Sequence, residues 1–157
     1  MGLKSKVKFV NLNVMKHIHL ILAASAAFLI NSAVSQAGNL RPTELTCEYA
    51  VNPEVIDVTS PRLSWINVSD VNGECQTAWQ IRVSSNRRHM RRGDLWKSGK
   101  VASDQSVLVK YAGAPLQSRQ QCWWQVRVWD SKGHRSRWSE PARWGMGLLE
   151  KDDWQAC

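Results

Sequence analysis

The sequence has no apolar run long enough to cross a bilayer, which takes roughly 20 residues. Its longest, Ile18 to Ile30, reads IHLILAASAAFLI and falls short. There is no C-x-x-C and no Cys/His cluster at metal-ligand spacing, so the common zinc sites are excluded. G-x-S-x-G is missing, and with it the nucleophile elbow of serine hydrolases. No window sustains a helical period, which argues against a helix bundle. Phenylalanine and tyrosine are scarce at two each, whereas tryptophan occurs nine times. Acids are few as well, 13 against 21 basic residues, for a net charge of +8.

That charge would suit a nucleic-acid partner if it were spread over the chain. It is not. Lys4, Lys6, Lys8 and Lys16 all precede the apolar run, and Ser35-Gln36-Ala37 follows it as a small-residue exit. A basic start, a short apolar core and such an exit describe a signal peptide over residues 1–37. The alternative is a buried N-terminal helix, which the flanks disfavour. Without the leader, 17 basic residues face 13 acids, too mild an excess to imply nucleic acid. The expectation is an exported protein, periplasmic or secreted, with no membrane span after processing.

Cys47, Cys75, Cys122 and Cys157 all lie in the mature part. Export permits disulfides, and four cysteines allow three pairings that sequence cannot choose between. Buried free thiols at Cys47 and Cys122 are slightly preferred.

Past a polar lead-in at 38–44, short segments of strand character alternate with turn signals. They are Leu45–Tyr49, Arg62–Ile66, Thr77–Ser84, Asp94–Val101, Ser106–Tyr111, Gln121–Asp130 and Trp138–Met146. Seven such segments predict an all-β, seven-stranded antiparallel sandwich over 45–148, with 149–157 beginning something further. On the strongest strand Cys122, Trp124, Val126 and Val128 share a face, expected to be buried with Leu63, Trp65, Trp79, Ile81 and Val83. Arg82, Trp123, Arg127 and Trp129 then point outward. Guanidinium groups over indole faces attract, and Trp138, in Ser136-Arg137-Trp138-Ser139, could extend the stack. This face is the one candidate functional surface, for docking or for sugar contact.

Several stretches resemble known proteins. Pro61-Arg62-Leu63-Ser64-Trp65 resembles the second strand of a fibronectin type III/immunoglobulin-like domain, and Leu116 with Cys122, Trp124 and Val126 resembles its penultimate strand. Tyrosine usually stands where Cys122 is, and its hydroxyl ties down a corner. The ordered set Leu45–Tyr49, Val51-Asn52-Pro53, Pro61–Trp65, Gln76–Ile81, Gly93–Val101, Cys122–Asp130, Trp138-Ser139-Glu140 and Met146–Leu149 resembles the N-terminal segment of bacterial α-L-rhamnosidases. That resemblance implies an accessory sandwich ahead of a second β-domain and an inverting α/α-barrel that cuts terminal α-L-rhamnose. The chain would then be truncated before the catalytic domain, and its partners would be the missing downstream domains.

Little chemistry is expected here. Glycoside hydrolysis needs two carboxyl groups roughly 5–10 Å apart across a cleft. Asp57, Asp70, Glu74, Asp94, Asp104 and Asp130 are instead scattered through turns, where acids bond locally. His89 and His134 read as surface residues. No catalytic residue, cofactor site or metal site is expected. The run Asn86–Arg92, NRRHMRR, reads as a solvated loop, because no aromatics interleave to stack bases. Two rivals to the accessory domain remain. One is a free-standing module for plant or microbial glycans with an exposed tryptophan platform. The other is an interaction module using the arginine loop.

Overall fold

A computed structural model describes residues 39–153, so the expected leader at 1–37 and Cys157 lie outside the described residues. Seven strands form two antiparallel sheets. They are β1 (Arg41–Cys47), β2 (Arg62–Val68), β3 (Ala78–Ser84), β4 (Trp96–Lys97), β5 (Val109–Lys110), β6 (Gln121–Trp129) and β7 (Ala142–Gly145). One sheet has the order β1-β2-β5 and the other β4-β3-β6-β7. The expected all-β fibronectin type III/immunoglobulin-like sandwich is what the chain forms. Among the described residues no helix is long and apolar enough to cross a membrane.

The inward faces are as the alternation indicates. Leu63, Ile81, Val83, Cys122, Trp124, Val126 and Val128 are completely buried, and Trp65 and Trp79 nearly so. Each alternates with a residue aimed at the other side of its strand, because successive side chains of a strand point to opposite faces. Trp144 of β7, also fully buried, fills the core between the sheets, edge-on to Tyr111 at 6.0 Å between ring centroids.

Two sequence expectations are corrected. The first strand, expected at Leu45–Tyr49, starts earlier, since β1 begins at Arg41 within the lead-in and Leu40 and Pro42 are buried. A bulge hides the alternation there: Glu44 and Leu45 together oppose one β2 residue, between the pairs Thr43–Ile66 and Thr46–Ser64. Glu44 takes a φ of 47°, the left-handed conformation that one type of bulge uses. The last strand is also shorter than 138–146. It begins only after Pro141, and residues 135–139 run beside β6 without joining it as a regular strand.

The corner missing its tyrosine at Cys122 is tied from elsewhere. The Tyr111 hydroxyl lies 2.8 Å from the Ala114 carbonyl and 3.2 Å from that of Leu95. Gly113 makes this approach feasible, since a Cβ there would collide with the Leu95 oxygen and the Tyr111 hydroxyl. Burial pushes the Tyr111 hydroxyl up to about 12, so it stays a donor throughout the ordinary pH range.

Residues 52–56 form a strap along the outside of β7. Gly145 donates its N–H to the Pro53 carbonyl at 3.1 Å, Ile56 donates to Gly145 at 2.9 Å, and Gly147 donates to Ile56 at 2.7 Å. A Cβ on Gly145 would collide with the Glu54 carbonyl, so the strap needs glycine there. Arg143 and Glu54 form an ion pair over it.

Cys47, Cys75 and Cys122 are free thiols, the first and last buried and Cys75 exposed. Burial pushes Cys47 and Cys122 up to about 12, with Glu48 adding to the effect at Cys47 and Asp94 at Cys122. The thiolate is the reactive form. In a Cys157→Ser chain, a thiol reagent should therefore label Cys75 alone until denaturant is added. Rapid native labelling of all three would contradict the packing described.

Candidate functional site

The outward face of β3 and β6 carries two glutamines and two arginines in a crossed arrangement. Gln80 lies opposite Arg127 and Arg82 lies opposite Gln125. Each guanidinium binds the amide oxygen across from it. Arg82 donates through Nε and Nη2 to Gln125 Oε1 at 3.0 and 2.5 Å. Arg127 donates in the same way to Gln80 Oε1 at 2.8 and 2.6 Å. A planar fork held at two nitrogens has a fixed orientation, so both groups present flat faces outward.

Residues 135–139 place an indole against those faces. Ser136 donates its N–H to the Val128 carbonyl at 2.8 Å, and its Oγ accepts from the Val128 N–H at 2.9 Å. Ser139 makes the same two-way contact with Val126, at 2.9 and 3.1 Å. Hydroxyls thus replace the carbonyls of a neighbouring strand, and Trp138 between them turns over the sheet. The Gln125 amide fixes the strip further by donating to the Ser139 carbonyl at 2.6 Å. At the start of the strip Asp130, almost fully buried, accepts from the N–H groups of Lys132 and His134 at 2.9 and 2.8 Å.

The resulting stack is continuous. The Arg82 guanidinium carbon lies 4.0 Å from the Trp138 ring centroid and that of Arg127 lies 4.5 Å from it. Arg127 also lies 5.4 Å from Trp129, whose ring is approached by Lys100 at 4.8 Å. Trp123 stands apart under Arg87 at 5.5 Å. All five residues singled out from sequence, Arg82, Trp123, Arg127, Trp129 and Trp138, thus lie on this face, the first four as strand residues and Trp138 from the strip. The face is more covered than expected: Trp129 is 9% exposed and Gln125 8%.

No carboxylate joins the stack. The four ion pairs among the described residues are Arg41–Asp70, Arg62–Glu48, His134–Asp130 and Arg143–Glu54. Burial and the Arg91 charge depress Arg82, and burial with Arg135 and Arg82 depresses Arg127. Both stay protonated, because a guanidinium does not lose its proton in proteins.

Sequence reasoning missed the partners. Gln80 and Gln125 were two more polar residues on an outward face, and the signal was their i, i+2 spacing from Arg82 and Arg127. The S-x-x-S spacing of Ser136 and Ser139 was the trace of the strip. Arg87, placed in a solvated loop, in fact finds its aromatic on a different element. Among the described residues no group of His, Cys, Asp and Glu could hold a metal ion.

A two-sheet sandwich of this order, β1-β2-β5 against β4-β3-β6-β7, is an immunoglobulin-like domain. The chain belongs to the family described as Rha78A-like, N-terminal immunoglobulin domain, which matches residues 42–150. It is 46% identical over 117 residues to the α-L-rhamnosidase of Streptomyces avermitilis, covering 74% of this chain and 11% of that protein. An α-L-rhamnosidase of Formosa agariphila is 39% identical over 105 residues, 66% of this chain and 11% of its own length. Among solved structures, the Streptomyces enzyme complexed with L-rhamnose superposes with a TM-score of 0.73 over 74% of this chain and 11% of that one, at the same 46% identity. The α-L-rhamnosidase from Dictyoglumus thermophilum gives 0.72 at 35% identity, over 78% of this chain and 14% of that one. The chain thus spans about a tenth of the length of the curated relatives it matches.

Proposed function

We propose that this chain is a non-catalytic accessory domain of an exported α-L-rhamnosidase-type glycosidase, acting on neighbouring domains rather than on substrate. The observation that carries this is the nature of the polar face built on β3 and β6. Trp138 has guanidinium groups against it and Trp129 has both a guanidinium and an ammonium, so these rings are occupied by the protein itself. A sugar platform needs open indole faces. A rigid wall for domain docking does not. The scattered acids add to the reading, since Asp130 and Asp94 serve backbone and hydroxyl donors and Glu48 and Glu54 serve arginines. Those four are therefore committed to structural contacts rather than to the paired acid and base that glycoside hydrolysis uses. The expected leader supports export.

Two outcomes test this. The purified chain should not hydrolyse aryl α-L-rhamnosides. Turnover that survives removal of host glycosidases, and that is lost on changing a single acid such as Asp104→Asn, would overturn the non-catalytic reading. Mass spectrometry of the exported protein should find an N-terminus near Gly38. Intact Met1 in the soluble cytoplasm would refute export.

A further inference from the structure

Beyond the β7-side end of the ladder lies a cavity of about 410 Å³, lined by Arg82, Arg88, His89, Arg91, Arg92 and Gln125. Four guanidinium groups and an imidazole converge there, and no acid lines it. None of these residues belongs to an ion pair among the described residues. The acid nearest in sequence, Asp94, is turned away. Its two oxygens take the hydroxyls of Ser84 and Ser85, the second at 2.6 Å.

The loop is built rather than loose. Asn86 Oδ1 accepts from the Arg88 N–H at 2.8 Å, and the N–H of Arg92 bonds the His89 carbonyl at 2.8 Å. Met90 plugs into the fold, 7% exposed, and so anchors the middle of the run. Arg82 enters from the sheet, with its orientation fixed by Gln125 and Trp138. Burial depresses Arg82 most, and the nearby Arg91 charge adds to the effect. Cations gathered on an anchored loop build a positive potential that attracts anions.

We propose that this cavity binds an acidic saccharide, one bearing uronate carboxylates or sulfates. The volume lies within the range of small-molecule sites and exceeds that needed for a single small anion. Pro141 supplies apolar surface for the ring carbons. A nucleic acid is disfavoured because no aromatic lines the cavity to stack a base. The choice of a sugar rests on the proposed reading that the chain is part of a glycosidase, whose substrates are saccharides; the cationic cavity itself does not.

The test is calorimetry on the full chain at about 50 mM salt, where surface charges are weakly screened. The probes are oligogalacturonate for carboxylate, a sulfated dextran oligosaccharide for sulfate, neutral dextran, and polyphosphate. At least one acidic saccharide should bind and neutral dextran should not. Arg88→Ala/Arg91→Ala/Arg92→Ala should weaken binding about tenfold or more. Arg135→Ala/Arg137→Ala, which also removes positive charge but lies outside the cavity, should bind as the parent does. A single Arg91→Glu chain, with its unfolding midpoint measured alongside, guards against a triple variant that fails to fold. Absence of binding to both acidic saccharides would overturn the proposal. So would polyphosphate binding more tightly than either, or equal losses in the two arginine variants. Rhamnoside hydrolysis is read separately, so failure of acidic-saccharide binding and failure of the accessory reading remain distinguishable.

Discussion

Trp138→Ala should cost the domain about 2–4 kcal/mol, from lost packing together with two cation–π contacts. For a domain of this size that is a drop of roughly 10 °C or more in the unfolding midpoint. Trp138 lies outside every strand, so an indole that merely decorated the surface would give almost no change. The ladder makes it a keystone, with Arg82 at 4.0 Å and Arg127 at 4.5 Å held by glutamines from the opposite strand. Removing the ring leaves two neighbouring guanidinium groups without the indole they both contact. Arg127→Gln in the same background should therefore recover part of the loss, because it removes one of the two charges. Differential scanning calorimetry checks both changes. If Trp138→Ala left the midpoint unmoved and instead abolished binding of a neutral rhamnoside, a sugar platform would replace the docking wall as the role of this face.

A second large effect is expected at a residue with no outward role. Gln76 is 7% exposed and makes four hydrogen bonds. Its Oε1 accepts from Trp65 Nε1 at 3.1 Å and from Asn67 Nδ2 at 2.8 Å. Its Nε2 donates to the carbonyls of Ser103 and Gln105 at 3.1 and 3.0 Å. One side chain thus joins β2, the approach to β3 and the loop before β5, spanning both sheets. Gln76→Ala strands the Trp65 indole N–H and two carbonyls in a poorly solvated place. At about 1–3 kcal/mol for each buried group left unpaired, partly relieved by water, the net cost should be about 3 kcal/mol. Gln76→Glu should not rescue it, because a carboxylate would face two carbonyl oxygens. Urea denaturation followed by tryptophan fluorescence reads the change. A loss under about 0.5 kcal/mol would show that the clasp contributes little to stability.

The parts of this fold that could be read from sequence are those governed by a period of two. On β3 and β6 the burial alternates on the inward side, so Trp79, Ile81, Val83, Cys122, Trp124, Val126 and Val128 announced the core. The same alternation put Arg82, Arg127, Trp123 and Trp129 on the other side, and so exposed the candidate face. What could not be read is governed by hydrogen bonds between distant segments. The bulge at Glu44 breaks the alternation of β1, and nothing local marks it. Residues 135–139 are extended but bonded through serine hydroxyls, a pattern that looks like a strand in sequence. Gln76 is an ordinary polar residue until Trp65, Ser103 and Gln105 are brought around it. The tyrosine missing at Cys122 looked like a lost tether, whereas Tyr111, eleven positions earlier, supplies one from just beyond β5.

The strap over β7 has a consequence for the molecule in company. A sheet's last strand ordinarily offers a row of unused N–H and C=O groups, to which a second copy can add by extending the ladder. Here Pro53 and Ile56 already occupy the backbone groups of Gly145 and Gly147, and Asn52 accepts the N–H of Arg143 at 2.9 Å. At the other margin of the same sheet, β4 offers only Trp96 and Lys97, too short a template to recruit a neighbour. The four-stranded sheet is therefore closed to growth at both sides, and the domain carries its own protection against the stacking that unfinished β-sheets invite.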